Sequence, residues 1–190
     1  IVASGHHKQH ATLLQLPGCS IPCFEIPERA EAILTAVTAA KVGEVIAPQD
    51  FGSGPIQAIH SSEFIDYLRT AYESSRPFFE GQKPAIADTY IGRGWRNKPS
   101  GFPGRMGYFA FDTTCPILEG TWLAAYWSAQ CAITAAELVR QGERAAYALC
   151  RPPGHHAAHD LHGGFCYLNN AAIAARALQQ GTHQRIAILD

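Results

Sequence analysis

Residues 151–170 read RPPGHHAAHDLHGGFCYLNN. They follow the short apolar run AAYALC (145–150), which is typical of a buried strand. Pro152 and Pro153 can continue neither a helix nor a strand ladder, so the chain leaves the predicted strand as a stiff loop. Open α/β sheets bind ligands beyond the carboxyl ends of their strands, and the pattern therefore predicts a functional site in this loop.

The loop carries two adjacent histidines, His155 and His156. Histidine titrates near neutral pH, so it can accept a proton in one step and return it in the next when a carboxylate fixes its tautomer. Asp190 follows a second apolar run, RIAIL (185–189), which predicts another buried strand. Because parallel strands joined by one helix lie side by side, we expect Asp190 beside the histidine loop.

A longer pattern surrounds these residues. RPPGHHA (151–157), GGFCYLNNAA (163–172) and the strand ending at Asp190 resemble the zinc-dependent histone deacetylase and acetylpolyamine amidohydrolase family, and the bacterial acetylpolyamine branch most. The resemblance is specific over 145–190, moderate over 20–70 and 107–142, and weak over 75–105. It implies an α/β three-layer sandwich with a mostly parallel central sheet (arginase/deacetylase-like), present here as one incomplete N-terminal domain, 1–190.

The resemblance implies a deacetylase that hydrolyses the amide of an N-acetylated amine, such as acetyl-lysine or an acetylated polyamine. His156 would be the main general base and acid, and His155 would give electrostatic support. Asp190 would orient His155 and contact a structural potassium ion. The zinc ligands of the family would follow residue 190, so zinc is an expected cofactor whose ligands lie outside this chain.

Three more positions take roles from the resemblance. Gly164 and Phe165 would line a narrow substrate tunnel, where a Cβ at the glycine would intrude on a linear substrate. Arg29, within the sequence IPER (26–29), would reach an internal channel behind the metal site. The alternative for Arg29 is an exposed arginine on a helix.

The choice of amine stays open in the sequence. Polyamine-selective members have acidic residues at the tunnel mouth, whereas this chain has Pro103 and Thr114 at those places, with Asp112 as the nearest acidic substitute. A basic rim would repel a polycation. Its members are Arg93, Arg96, Lys98 and Arg105.

Composition excludes several classes of protein. The chain has 190 residues, 47% of them hydrophobic, and a net charge of −1, which predicts a globular domain with no footprint for nucleic acid. It has no run of roughly 18 apolar residues, as a membrane span would need, and no signal peptide. A cytoplasmic location is the default prediction.

Periodicity predicts the other elements. Helices are expected over 27–41, 60–73, 120–140 and 170–180, a strand stub over 1–3, an edge strand over 44–48, and a loop over 5–24. Residues 76–116 have no helical or strand period and predict a long loop insertion. The resemblance implies that this loop helps to build a homodimer. The aromatic residues that could form such a contact are Trp95, Phe102, Tyr108, Phe109 and Phe111. The alternative is a loop that packs on itself and covers its own core.

Two other functions compete with the zinc amidohydrolase. Cys166 could act as the nucleophile of a cysteine hydrolase, although its apolar neighbours favour an inert buried thiol. A non-catalytic domain could bind acylated ligands or serve in assembly. A separate metal cluster of His159, Asp160 and His162 is less favoured than an interpretation of these three as rim or solvated residues.

Overall fold

The computed structural model of the chain describes residues 1–9, 13–16, 19–79, 84–92, 94, 97–180 and 185–190. Its elements in chain order are β1 (Val2–Ala3), a 3-10 helix (Gly5–Gln9), β2 (Leu13–Leu16), β3 (Cys19–Pro22), α1 (Pro27–Ala39), α2 (Gly54–Gln57), α3 (Ser62–Ser75), α4 (Phe102–Phe109), α5 (Thr121–Arg140), β4 (Ala148–Leu149) and α6 (Asn170–Gln179).

Parallel pairing at the centre confirms the predicted α/β class. Strand β1 pairs with β4 in parallel, with Val2 opposite Ala148. Val2 also forms a parallel bridge with Ile46 on its other side. The three runs expected as strands, 1–3, 44–48 and 145–150, therefore lie side by side, although each contributes only one or two residues to the pairing. The buried side chain of Val2 packs here against Cys131 of α5.

The predicted strand over 185–189 is not observed. Within the described residues, 185–190 carry no strand assignment, and Leu189 is 96% exposed. An apolar pattern reports that side chains can be buried, but a strand also needs a neighbouring edge to pair with. The segment nevertheless brings Asp190 to the histidine loop.

The long helices follow the sequence closely. Helix α3 is amphipathic and capped by Ser61, whose Oγ accepts a hydrogen bond from the amide of Phe64 at 3.2 Å. Helix α6 is capped by Asn169, whose Oδ1 accepts from the amide of Ala172 at 3.0 Å. The small side chains of α5 let it pack closely against both α6 and β4. These helices hold both ends of the histidine loop.

Two segments expected to be loops contain regular structure. Residues 5–24 include the 3-10 helix and an antiparallel pair, β2 with β3, in which Leu13 is opposite Pro22. The 76–116 segment includes α4, despite its two internal glycines. Local propensity disfavours that helix, but Phe109 at its end packs on Tyr67 of α3, with ring centroids 4.7 Å apart. Tertiary packing overrides propensity here.

The main core lies under the histidine loop. Phe64, Tyr67 and Phe109 pack there with Tyr167 and Leu168, which follow the two adjacent histidines within the loop. Burying each such side chain contributes about 1.5–3 kcal/mol to folding. The loop is therefore supported from below by an aromatic layer built from α3, α4 and its own continuation. In the portion of the chain that the structure describes, no helix combines the length and apolar character needed to cross a membrane.

Candidate functional site

The loop begins at a buried ion pair. Nε of Arg151 lies 2.9 Å from Oε2 of Glu25, Nη2 donates to the Glu25 carbonyl at 2.9 Å, and Nη1 donates to the carbonyl of His7. The carbonyl of Pro152 accepts from Oγ of Ser128 on α5 at 2.8 Å. Removing one partner of a buried ion pair is strongly destabilising. These bonds fix the direction in which the loop leaves β4.

His155 and His156 emerge side by side from this anchored start. Their ring centroids lie 4.2 Å apart with the planes at 65°. Nδ1 of His155 lies 2.9 Å from Oδ1 of Asp190, as the sequence predicted, and the two side chains are 49% and 75% exposed. In the tautomer with the proton on Nδ1, this nitrogen donates a hydrogen bond to the carboxylate, and Nε2 of His155 can then accept a hydrogen bond from a reacting group.

The structure gives a physical reason for the two glycines within the protein itself. A Cβ at Gly164 would lie 2.4 Å from Cδ2 of His156, and a Cβ at Gly163 would lie 2.4 Å from Cζ of Phe111. The space that side chains would need is thus taken by the protein's own rings. Gly164 and Phe165 both have positive φ, 56° and 67°. The Gly164 backbone therefore forms a surface directly against the His156 ring.

Asp112 is engaged within the site. Its Oδ2 accepts a hydrogen bond from the amide of Gly164 at 2.8 Å, and its Oδ1 accepts from the amide and the hydroxyl of Thr114 at 2.9 and 2.7 Å. Oγ1 of Thr114 in turn accepts from the amide of Phe165 at 3.1 Å. Asp112 and Thr114, which were considered in relation to a positively charged substrate, thus hold the backbone of Gly164 and Phe165.

The basic rim is less basic than the sequence suggests. Nζ of Lys98 lies 2.6 Å from Oε2 of Glu63, and the guanidinium of Arg105 lies over the rings of Tyr67 and Phe109, at 6.0 and 5.7 Å from their centroids. Arg93 and Arg96 fall outside the described residues. Pro103 is exposed on the first turn of α4.

The aromatic residues expected to form a contact surface divide between surface and core. Phe109 is buried at 1% exposure and cannot supply a dimer contact, whereas Phe111 is exposed but covers Gly163. Phe102 and Tyr108 are half-buried, and Trp95 lies outside the described residues.

Cys166 is unsuited to nucleophilic attack. Its side chain is 0% exposed, its Sγ donates to the carbonyl of Gly164 at 3.3 Å, and burial raises the pKa of the thiol to about 11. A thiol with this pKa is almost entirely protonated at neutral pH, and the thiolate is the nucleophile. The geometry therefore favours the inert buried thiol.

Arg29 lines an open cavity of about 570 Å³ that extends from α1 to His155. Its side chain is 58% exposed, with Nη1 3.6 Å from Oε1 of Glu25. Arg151 lines the same cavity from its buried side. Glu25 therefore lies between two arginines, an arrangement that has no local sequence signal because Glu25 and Arg151 are 126 positions apart.

His60 ties the far side of the loop to two helices. Its Nδ1 lies 3.3 Å from the carbonyl of His159, and its Nε2 accepts from the amide of Asn169 at 2.9 Å. Burial lowers the pKa of His60, so the ring is held neutral. These contacts give His60 a structural role.

His162 is buried, contrary to the expectation of a rim or solvated residue. Its ring stacks on Tyr67 and Tyr167, with centroids at 5.9 and 5.5 Å, and burial lowers its pKa to about 4. Within the described residues, no group of three His, Cys, Asp or Glu side chains could hold a metal ion. His159, Asp160 and His162 do not form one.

Comparison with known proteins gives a consistent result. Residues 23–190 match the model of the histone deacetylase domain. The chain is 46% identical over its whole length to acetylpolyamine amidohydrolase 1 of Pseudomonas aeruginosa, covering 56% of that protein, and 46% identical to acetylpolyamine amidohydrolase of Burkholderia pseudomallei over 87% of the chain and 48% of that protein. It thus spans about half the length of these curated relatives.

Two solved structures superpose on this chain. A crystal structure of acetylpolyamine aminohydrolase from Burkholderia pseudomallei superposes with a TM-score of 0.87 at 40% identity, covering 94% of this chain and 52% of that one. The HD domain of HDA15 superposes with a TM-score of 0.67 at 23% identity, covering 94% of this chain and 42% of that one, a likeness that bears on the fold alone.

Proposed function

The chain belongs to the histone deacetylase family, and we propose that the protein containing it hydrolyses the amide of a small N-acetylated amine. The observation that carries this proposal is the pair His155 and His156, with their rings 4.2 Å apart and Asp190 2.9 Å from His155. Amide hydrolysis needs a base that takes a proton from water and an acid that returns one to the departing nitrogen. The pair has the residue types and the placement for both steps.

His156 is the proposed general base and acid. Its ring lies against the Gly164 backbone, at the wall where a linear substrate would pass. It would accept a proton from the attacking water and deliver it to the amine nitrogen as the C–N bond breaks, so that no net proton is consumed at the ring.

His155 is proposed to assist without moving a proton. The Asp190 carboxylate holds the Nδ1 proton of His155, which fixes the ring's tautomer and orientation. The resulting dipole favours negative charge on an acyl oxygen that lies between the two rings. We also propose that Asp190 contacts a structural potassium ion, as the family resemblance implies.

Zinc is part of the proposal, but the described side chains do not form a zinc site. Its ligands would come from residues other than those described, and the proton-transfer roles above do not depend on its position. A zinc ion with an open coordination position would polarise the acyl oxygen and activate water.

An acetylated polyamine is the first substrate to test, with acetyl-lysine second. The named relatives at 46% identity are acetylpolyamine amidohydrolases. The ion pair with Glu63 offsets the charge of Lys98, which reduces the repulsion that a polycation would meet at this rim, whereas Arg105 keeps its charge over the aromatic rings. Arg29 in an internal channel and homodimer formation through 76–116 are further parts of the same proposal.

The experiment is an assay of the full-length protein with N-acetylputrescine and with an acetyl-lysine peptide. We expect acetate release that a chelator abolishes and added zinc restores, and faster turnover of the polyamine. Activity unaffected by chelation would contradict the metal part. Binding of both ligands without acetate release would instead indicate a domain that only recognises acylated amines.

A further inference from the structure

Two distant segments run in parallel beside the site and then change their mode of pairing. Ala110 and His162 form a parallel bridge, in which the amide of His162 donates to the carbonyl of Phe109 at 2.8 Å and the amide of Phe111 donates to the carbonyl of His162 at 3.1 Å. Beyond this bridge, side chains replace backbone carbonyls as the acceptors. The amides of residues 164 and 165 both bond to side chains of the 112–114 turn.

The replaced bonds coincide with an unusual backbone. Gly164 and Phe165 have φ of 56° and 67°. The left-handed region suits glycine but costs about 1–2 kcal/mol for a residue with a Cβ such as phenylalanine. A conformation of this kind persists when surrounding groups hold it in place, and both of its amides are held here by side chains some 50 positions away in sequence.

This backbone is in contact with the proposed base. The Cα of Gly164 faces His156 so closely that a Cβ would lie 2.4, 2.8 and 3.2 Å from three atoms of its side chain. Any shift of the Gly164 peptide is therefore transmitted to the His156 ring. Phe165, the next residue, is half-buried and belongs to the proposed tunnel wall.

We propose that Asp112 and Thr114 are positioning residues, a side-chain clamp that sets the Gly164 backbone against His156 and fixes the orientation of Phe165. This inference rests on the proposed function and adds to it two residues that touch no reacting atom. It also gives Asp112 a different task from binding a substrate cation, because three donors already occupy its carboxylate oxygens.

The chemistry of the clamp explains why a carboxylate is needed. Asp112 receives the amide of Gly164 on one oxygen and the amide and hydroxyl of Thr114 on the other. An ionised carboxylate accepts at both oxygens, whereas an asparagine of the same shape would turn an NH₂ donor toward one of these donors. The Thr114 hydroxyl links Asp112 to Phe165, because it donates to the Asp112 carboxylate and accepts from the Phe165 amide.

The test uses the full-length protein with Asp112→Asn, Thr114→Val and Thr114→Ser. Thr113→Val is the matched control for Thr114, because it removes a hydroxyl from the same turn without touching residues 164 or 165. Asp66→Asn is the control for Asp112, because Asp66 lies exposed on α3. Hydrogen–deuterium exchange of the peptide containing residues 163–166 is measured beside kcat and KM on N-acetylputrescine.

We expect Asp112→Asn to lower kcat by about 10- to 100-fold, as a charge-assisted hydrogen bond and a displaced catalytic group would require. Thr114→Val should raise KM by about 5-fold through Phe165, and Thr114→Ser should restore it, because the serine keeps the bonding oxygen. Exchange at 163–166 should accelerate at least about 10-fold in both Asp112→Asn and Thr114→Val, and remain unchanged in the controls.

Unchanged exchange and unchanged kcat and KM in Asp112→Asn and Thr114→Val would overturn the clamp, as would a fall in melting temperature alone. Should Thr114→Val fail to fold, exchange at 163–166 and kcat are compared between Asp112→Asn and Thr114→Ser. Faster exchange and lower kcat in Asp112→Asn alone would support the clamp, and equal values in both variants would contradict it. If the parent protein hydrolyses no acetylated amine but exchange still accelerates in the variants, the proposed function fails and the clamp stands.

Discussion

The histidines in and around the loop fall into two environments. His155 and His156 lie exposed at the top of the loop, whereas His162 and His60 lie buried beneath it. The two exposed rings contact each other, and His155 also contacts Asp190. His162 stacks between aromatic rings, and burial lowers its pKa to about 4.

The contrast teaches that burial assigns the role of a histidine more strongly than its sequence neighbours do. A charged imidazole in an apolar layer loses hydration that no partner restores, so His162 stays neutral and acts as a flat, polar packing unit. The rings of His155 and His156 lie exposed, and His155 has the Asp190 carboxylate as a partner. One loop of twenty residues therefore contains both a candidate proton carrier and a structural ring.

The largest expected effect comes from His156→Ala in the full-length protein. Loss of a general base and acid should lower kcat on N-acetylputrescine by about 10²- to 10⁴-fold. Because the ring is exposed in the described part of the chain, thermal unfolding should change little. Steady-state kinetics and calorimetry measure the two effects.

His159→Ala is the matched control, since His159 is an exposed histidine of the same loop. We expect it to retain most of the turnover. Equal turnover in His156→Ala and the parent protein would mean that the exposed pair has no catalytic role that sets it apart from the remaining histidines.

The next largest effect is expected in the pH dependence of stability and comes from the buried His162. The pKa of His162 is lowered from 6.5 to about 4 on folding, so its neutral form stabilises the fold fully above pH 6.5, and this stability is lost as pH falls toward 4. The loss reaches up to about 3 kcal/mol in the free energy of unfolding. Denaturant titrations of the full-length protein between pH 7 and pH 4 measure it.

His162→Phe keeps a ring between Tyr67 and Tyr167 but removes the titration, so its stability should fall less steeply with acid. Parallel slopes for parent and His162→Phe would mean that His162 is not held neutral.

The smallest effect is expected at Cys166. Its thiol is buried and its pKa is about 11, so Cys166→Ala should change turnover by no more than about twofold, and iodoacetamide should inactivate the protein slowly at pH 7.5. A large loss of turnover in Cys166→Ala with unchanged folding would return the cysteine hydrolase to consideration. An assay before and after alkylation decides between them.

Hydrophobic periodicity and capping residues predicted the helices, in which each residue contacts others one turn away in the same helix. Helices α3, α5 and α6 begin and end within a few residues of the expected positions, since period and capping residues are visible in the chain itself. The sequence missed α4, because two glycines weaken the signal and its support comes from α3. It placed a strand over 185–189, where apolar residues lie exposed.

The sequence alone determined the α/β class and the stiff loop after β4 with its adjacent histidines, because prolines and apolar runs act locally. It also placed Asp190 beside this loop, although through a strand over 185–189 that the structure does not contain. Only the tertiary structure decided which histidines are buried, that Arg151 meets Glu25, and that Asp112 holds Gly164. These contacts join residues 52 and 126 positions apart, and no local period can report a hydrogen bond that exists only after packing brings its two partners together.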